Sequence, residues 1–219
     1  MIRLYHVPQS RSMRVLWLLY ELGVPFELEL RAFDKSLRDE DFRALSPAGR
    51  VPALEIDGGC MFESLAMMEY LCERFPEAGL GRAPGTQERR GWLSWLQFSE
   101  TISQHVAALT QQHLMLHEDH MRSPIVMRLE AKRLEKCYAA LEARLAETGS
   151  GALLVSGFSA CDIAVGQAVY MARHFAPVEG FAAVSDWYAG ITAREAFRRS
   201  LPGEGARLYG AAFYPAWDG

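Results

Sequence analysis

Residues 50–75, RVPALEIDGGCMFESLAMMEYLCERF, constrain the fold of this chain more than any other stretch. Residues 52–56 are predicted to form a short apolar strand after a Val-Pro step, and the Asp-Gly-Gly run at 57–59 is typical of a hairpin turn. A helix is predicted over 63–75, because apolar residues recur there every three or four positions. The stretch therefore predicts a β-hairpin that is followed directly by an amphipathic helix.

The same stretch carries groups that could hold a small peptide. Pro52 has no N–H, and a cis Val51-Pro52 bond would turn the backbone of Val51 outward, where it could pair with an extended ligand. The N-terminus of the following helix offers backbone N–H groups to a carboxylate. Ser64 adds a hydroxyl, and Glu63 adds an acceptor for an ammonium group. Together these groups predict a socket for a peptide with an amino-acid head.

The residues before this stretch predict a parallel strand-helix-strand unit. Residues 2–7 and 26–30 alternate apolar and polar side chains as strands do, and residues 12–22 carry a helical apolar stripe that stops at a glycine. So short a span implies parallel strands with a right-handed crossover. Residues 33–46 are predicted to form a loop with a short helix, which gives the order β-α-β-α-β-β-α.

A second, helical half is predicted after a segment rich in proline and glycine at 76–86. Ser159 and Asp162 there form a capping box in its acidic variant. The fold class is therefore α/β plus all-α, with domains at 1–77 and 87–219. Helices are predicted at 87–118, 123–147, 159–174, 182–193 and 194–200.

These motifs resemble the glutathione transferase superfamily, and in particular its bacterial serine-type or theta-like members. Residues 50–75 are similar to the second half of that family's thioredoxin-like domain. The pair Ser159 and Asp162 is similar to a Ser/Thr-x-x-Asp box in its helical domain. The resemblance implies a thioredoxin-like N-terminal domain, an all-helical C-terminal domain, and glutathione as co-substrate.

The resemblance also implies how the socket holds glutathione. Val51, the residue before Pro52, would pair with the cysteinyl backbone of glutathione. Glu63 and Ser64 would hold the γ-glutamyl head, and Arg50 would face the glycine carboxylate. At the position of Arg50 the family often has Lys or Gln.

Members of this family lower the pKa of the bound thiol, since the thiolate is the nucleophile. A shift of about two pKa units corresponds to roughly 2.7 kcal/mol of preferential binding to the thiolate. Ser10, in the turn before the first helix, is the first candidate for the stabilising group, and Tyr5 is the alternative. Ser12 or a backbone N–H is a third option, and Ser12 is also expected to contact glutathione. Ser10 or Ser12 is further expected to cap the first helix.

Composition excludes several other classes of function. A net charge of −4 and a pI near 5.9 argue against a nucleic-acid partner. We find no pattern of a membrane span or a cleaved leader, and expect a cytoplasmic protein. The absence of cysteine from residues 1–59 disfavours mixed-disulfide chemistry. Four cysteines are expected to be buried free thiols: Cys60, Cys72, Cys137 and Cys161. Four clustered histidines are expected to bind no metal: His105, His113, His117 and His120.

The resemblance implies a small hydrophobic electrophile as second substrate, bound between the two domains. It also implies a homodimer in which the third helix meets the partner's fourth helix. The apolar side chains of Met61, Phe62, Met67 and Met68, which exceed what one face of the fourth strand and third helix can bury, support this. The function expected is conjugation of glutathione to the electrophile. Alternatives are a non-catalytic binding protein and a glutathione-dependent peroxidase or isomerase. The residues expected to line the second pocket are His6, 103–106, Phe213, Tyr214 and Trp217.

Overall fold

A computed structural model of the chain describes residues 1–203 and 205–216, and the chain packs into two compact units. The first unit contains Met1–Thr86 and Ala193–Leu208. The second contains Gln87–Thr192 and the tail from Tyr209 onward. The domain ranges 1–77 and 87–219 stay a prediction, but the packing differs from them because residues 193–208 join the N-terminal unit.

A four-stranded mixed sheet in the order β2-β1-β3-β4 is the centre of the first unit. β1 and β2 are parallel, as predicted, whereas β3 is antiparallel to both β1 and β4. A turn at Asp57 and Gly58 with positive φ at both residues joins β3 to β4, as the Asp-Gly signal indicates. The thioredoxin-like order of elements is thus confirmed. The strands are β1 Arg3–His6, β2 Glu27–Leu30, β3 Ala53–Ile56 and β4 Gly59–Met61.

The first helix of this unit is buried on nearly every side, and this explains why residues 193–208 join the unit. Trp17 is fully buried, and its ring packs edge-on against Phe197 at 4.9 Å. Glu21 accepts two hydrogen bonds from Arg194, at 2.6 and 2.7 Å. The helices of the unit are α1 Ser12–Leu22, α2 Glu40–Leu45, α3 Ser64–Arg74 and α8 Glu195–Ser200, with short 3-10 turns at Lys35–Arg38 and Pro76–Ala78.

The second unit is helical, as predicted. Its two longest helices have 22 and 25 residues, but each has one apolar face and one polar face. Within the part of the chain that the structure describes, no helix combines the length and the apolar character that crossing a membrane requires. The helices are α4 Arg89–Thr110, α5 Pro124–Thr148, α6 Ala160–Ala172 and α7 Ala182–Thr192, with a π-helical segment at Gln111–Met115 and a 3-10 turn at Asp119–Met121.

Asp162 connects several elements of the second unit. It completes the predicted capping box by accepting from the backbone N–H of Ser159 at 2.9 Å. It also accepts from the backbone N–H of Leu153 at 2.9 Å and from the indole N–H of Trp187 at 3.0 Å. Burial raises the pKa of Asp162, while these hydrogen bonds to the carboxylate oppose the rise.

Two expectations about side chains need correction. Cys60 is exposed, because it lies on the edge strand β4, whereas the other three cysteines are buried free thiols as expected. Met67 and Met68 are both fully buried within the first unit and leave no excess for a partner, although Phe62 is 50% exposed. The homodimer therefore stays a prediction with a weaker basis.

A close backbone contact fixes the loop that enters β3. Gly49 has φ +61°, and a Cβ at this position would lie 2.6 Å from the carbonyl oxygen of Leu37. The hydroxyl of Ser46 donates to the carbonyl of Arg50 at 2.7 Å and holds the next residue of the loop. The position of the Val-Pro step therefore depends on a glycine at 49.

Gly49→Ala should lower the free energy of unfolding by about 2 kcal/mol or more, because it combines a strained φ with a steric clash. Urea denaturation would measure the loss. Gly23→Ala is the matched control, since Gly23 has φ +66° but open space around its Cβ position. Equal losses in the two variants would contradict a role for the close contact.

Asp162→Asn should lower the free energy of unfolding by about 3 kcal/mol, because in either orientation the new amide NH₂ faces N–H donors. Ser159→Ala removes only one hydroxyl of the capping box and should cost about 1 kcal/mol. Chemical denaturation of both variants would show the difference. A smaller loss for Asp162→Asn than for Ser159→Ala would disprove the assignment.

Candidate functional site

The topology of the sheet brings three sequence segments to one end of the first unit. β1 runs antiparallel to β3, with Tyr5 opposite Ala53, so the turn after β1 lies beside the entry to β3. β4 runs antiparallel to β3, with Leu54 opposite Met61, so β4 finishes at the same end of the sheet. The turn at 7–12, the Val51-Pro52 step and the Glu63-Ser64 pair therefore converge.

The entry to β3 has the features that the sequence predicts. The Val51-Pro52 peptide bond is cis. Pro52 is buried, Val51 is half-buried and Arg50 is exposed. The side chain of Arg50 thus faces solvent beside the entry to the strand, where it can reach a ligand.

The start of α3 has an unusual backbone. Glu63, its N-cap residue, has φ +72° and ψ +101°, a conformation that non-glycine residues rarely adopt. Its side chain is exposed and does not cap the helix. The first N–H groups of α3 thus have no side-chain cap from Glu63, and its carboxylate stands free of the helix end. Strain of this kind, of order 1–3 kcal/mol, is typical of binding sites.

A buried arginine lies behind this helix end. Arg14 is fully buried, and its Nη1 atom lies 3.5 Å from the hydroxyl of Ser64, which is 6% exposed. The guanidinium therefore adds positive charge where the N-terminus of α3 already attracts an anion. This burial was not predicted from the sequence. A signal for it is the apolar run that surrounds Arg14, because a helix that is apolar on every side is buried on every side.

Ser10 is half-buried and sits in the turn between β1 and α1. Its hydroxyl donates to the carbonyl of Val7 at 2.8 Å and lies 2.7 Å from the hydroxyl of Ser12. It also accepts from the backbone N–H of Ser12 at 3.2 Å. The N-cap residue of α1 is Arg11, so neither Ser10 nor Ser12 caps this helix in the predicted way. Of the two serines, Ser10 is the one a ligand can reach.

Ser12 is fully buried, which argues against the direct contact with glutathione that the sequence predicts. Its hydroxyl accepts from the backbone N–H of Val7 at 3.2 Å and lies 2.6 Å from Nδ1 of His6. Position 12 is the first residue of α1 and is covered by the turn before it. Ser12 therefore contacts Ser10 from the buried side of the turn.

The hydroxyl of Tyr5, the alternative candidate, already has a partner within the sheet. It donates to Oε2 of Glu55 at 2.9 Å, and Glu55 pairs with Arg3, farther from the converging segments. The ring is 7% exposed and packs against Phe42 at 6.0 Å, and burial raises the pKa of the phenol. Tyr5 is a core residue on the face of the sheet opposite Ser12.

Three of the residues predicted for a second-substrate pocket, His6, His105 and Tyr214, have defined local partners. His6 is buried, and burial lowers its pKa to about 4, so the ring is neutral near pH 7. In the second unit, Nδ1 of His105 lies 2.6 Å from Oε2 of Glu130. Tyr214 packs against Phe175 at 5.8 Å in the same unit, whereas Phe213 is 45% exposed. Trp217 lies outside the described residues.

Comparison with known proteins agrees with this architecture. Residues 4–79 match the family model described as glutathione S-transferase, N-terminal domain. Glutathione S-transferase 3 of Schizosaccharomyces pombe is 32% identical over 100 residues, which cover 46% of this chain and 41% of that protein. The chain thus matches less than half the length of this relative.

Two further proteins are similar over nearly the whole chain. Glutathione S-transferase 3 of Zea mays is 28% identical over 211 residues, covering 91% of this chain and 93% of the relative. A sphingomonad glutathione S-transferase, solved in complex with glutathione, superposes with a TM-score of 0.76 at 25% identity, covering 91% of this chain and 96% of that one. The family match, the relatives and the structural similarity together support the assignment of the chain to the glutathione transferase superfamily.

Proposed function

We propose that this protein binds glutathione at the end of the sheet where the three segments converge. It activates the glutathione thiol as a thiolate for attack on an electrophile. The observation that carries the proposal is the convergence of Ser10, the Val51-Pro52 step and the Glu63-Ser64 pair on one end of the first unit. The sphingomonad relative was solved with glutathione bound, which supports the choice of ligand.

The charged groups at this end of the sheet suit the carboxylate and the ammonium group of an amino-acid head. The N-terminus of α3 and the buried Arg14 attract the carboxylate of the γ-glutamyl group, and the buried hydroxyl of Ser64 lies between them. The exposed carboxylate of Glu63 accepts the ammonium group. The backbone of Val51 pairs with the cysteinyl residue, and Arg50 meets the glycine carboxylate.

Ser10 then stabilises the thiolate by donating its hydroxyl hydrogen to the sulfur. A hydrogen bond to a charged group contributes about 1.5–3 kcal/mol, which is close to the roughly 2.7 kcal/mol that a shift of two pKa units requires. The thiol proton leaves to solvent, the sulfur lone pair forms a bond to the electrophilic carbon, and the leaving group departs with its electron pair. The second substrate in this proposal is a small hydrophobic electrophile. A role in detoxification, a homodimer and a cytoplasmic location accompany the proposal as predictions.

Ser10→Ala should reduce turnover of a chloronitrobenzene substrate roughly ten- to a hundredfold, while glutathione binding persists. Because the variant loses the donor to the thiolate, the pKa of the bound thiol should rise. The rate of the variant should accordingly increase with pH over a higher range than that of the wild type. Steady-state kinetics across pH and calorimetric titration with glutathione would measure both effects.

Tyr5→Phe is the control for this experiment, because it removes a hydroxyl that points to Glu55. It should keep the turnover and the pH dependence of the wild type. Loss of turnover in Tyr5→Phe alone would make the assignment of Ser10 wrong. Binding of glutathione without turnover of any electrophile would favour the non-catalytic alternative, and no binding at all would refute the proposed function.

Glu63→Gln should weaken glutathione binding about tenfold, because the variant keeps the size of the side chain but loses its charge-assisted hydrogen bond to the ammonium group. Calorimetry would give the Kd. Glu77→Gln removes another exposed carboxylate, just beyond the C-terminus of α3, and should leave the Kd unchanged. A similar Kd in the Glu63 variant and the wild type would rule out this contact.

A further inference from the structure

A chain of hydrogen bonds leads from the buried ring of His6 to the hydroxyl of Ser10. Nδ1 of His6 lies 2.6 Å from the Ser12 hydroxyl, which lies 2.7 Å from the Ser10 hydroxyl. Ser10 in turn lies 2.8 Å from the carbonyl oxygen of Val7. His6 is 3% exposed and Ser12 is fully buried, so only the Ser10 end of the chain is accessible to a ligand.

The direction of the hydrogens along this chain decides whether Ser10 can serve as a donor. A hydroxyl has one hydrogen and two lone pairs. One lone pair of Ser12 accepts from the backbone N–H of Val7 at 3.2 Å. The Ser12 hydroxyl also lies 3.2 Å from the carbonyl oxygen of Val7, but its contacts with His6 and Ser10 are shorter, at 2.6 and 2.7 Å. We therefore assign the remaining lone pair and the hydrogen of Ser12 to His6 and Ser10.

Two arrangements satisfy Ser12, and they differ in the tautomer of His6. If Nδ1 carries the hydrogen, His6 donates to Ser12 and Ser12 donates to Ser10, so the hydrogen of Ser10 points away from Ser12. If Nε2 carries it, Ser12 donates to Nδ1 and Ser10 donates inward to Ser12. Only the first arrangement leaves the hydrogen of Ser10 available to a sulfur atom.

The contact between Ser10 and Val7 distinguishes the two arrangements. An oxygen–oxygen distance of 2.8 Å is normal for a hydrogen bond and repulsive without a hydrogen between the atoms. The carbonyl of Val7 can only accept, so the hydrogen of Ser10 must lie on this contact and not on the contact with Ser12. The geometry thus favours the Nδ1–H tautomer.

We propose that His6 is a positioning residue that, as the Nδ1–H tautomer, directs the hydrogen of Ser10 outward through Ser12. The hydrogen rests on the carbonyl of Val7 in the ligand-free protein and turns to the thiolate when glutathione binds. No proton is transferred along the chain, and His6 touches neither the sulfur nor the electrophile. This inference rests on the proposed function, since it names what orients the donor of the same site.

Two variants of His6 test the direction of these hydrogen bonds. His6→Asn retains an N–H donor near the position of Nδ1, whereas His6→Leu has nearly the same shape and no donor. His6→Leu should lower kcat roughly tenfold and raise the pKa of bound glutathione by about one unit, with a change in the Kd of less than about threefold. His6→Asn should stay close to the wild type. Ultraviolet absorbance of the bound thiolate against pH would measure the pKa directly.

Ser12→Ala breaks the same chain one residue further on and keeps the test valid if His6→Leu does not fold. It should reproduce the loss of kcat, and the double variant should lose little more than either single variant. Equal losses in His6→Asn and His6→Leu would show a packing role and overturn the proposal. Wild-type behaviour of His6→Leu would overturn it as well.

The tautomer of His6 can also be measured without glutathione. Nitrogen-15 NMR of the ligand-free protein should show hydrogen on Nδ1, and hydrogen on Nε2 would overturn the proposal. A wild-type protein that fails to bind glutathione would refute the proposed function instead. The NMR measurement separates these two failures, because it depends only on the folded protein.

Discussion

The antiparallel pairing of β1 with β3 is the interaction on which the site depends. It joins the strand-helix-strand half of the first unit to the hairpin half, with Tyr5 opposite Ala53. The parallel pairing of β1 with β2 could form without the hairpin, but no site would result. Since β4 is antiparallel to β3, this single pairing also determines where α3 begins.

The register of this pairing also decides which side chains enter the site. Successive residues of a strand point to opposite faces, so a slip by one residue would exchange the environments of Tyr5 and His6. In the observed register, Tyr5 packs with Phe42 on one face, and His6 contacts Ser12 at the start of α1 on the other. The hydroxyl that remains at the edge of the sheet comes from Ser10.

Local signals in the sequence predicted the hairpin, α3 and the capping box, because each is formed by residues close together in the chain. The choice between Ser10 and Tyr5 could not be made locally, since the partner of Tyr5 is Glu55, fifty residues away. The packing of α8 on α1 could not be predicted for the same reason, because Arg194 and Glu21 are 173 residues apart. The burial of Arg14 likewise depends on elements that lie far away in sequence.

The proposed use of a serine to hold a thiolate makes a demand on the buried residues around it. A serine hydroxyl rotates freely and has one hydrogen, which any nearby acceptor can take. In this turn the acceptors are close: the Val7 carbonyl at 2.8 Å and the Ser12 hydroxyl at 2.7 Å. A donor behind Ser12 removes one of these competitors by occupying its lone pair. Because His6 is buried and neutral, it can perform this role without placing a charge beside the thiolate.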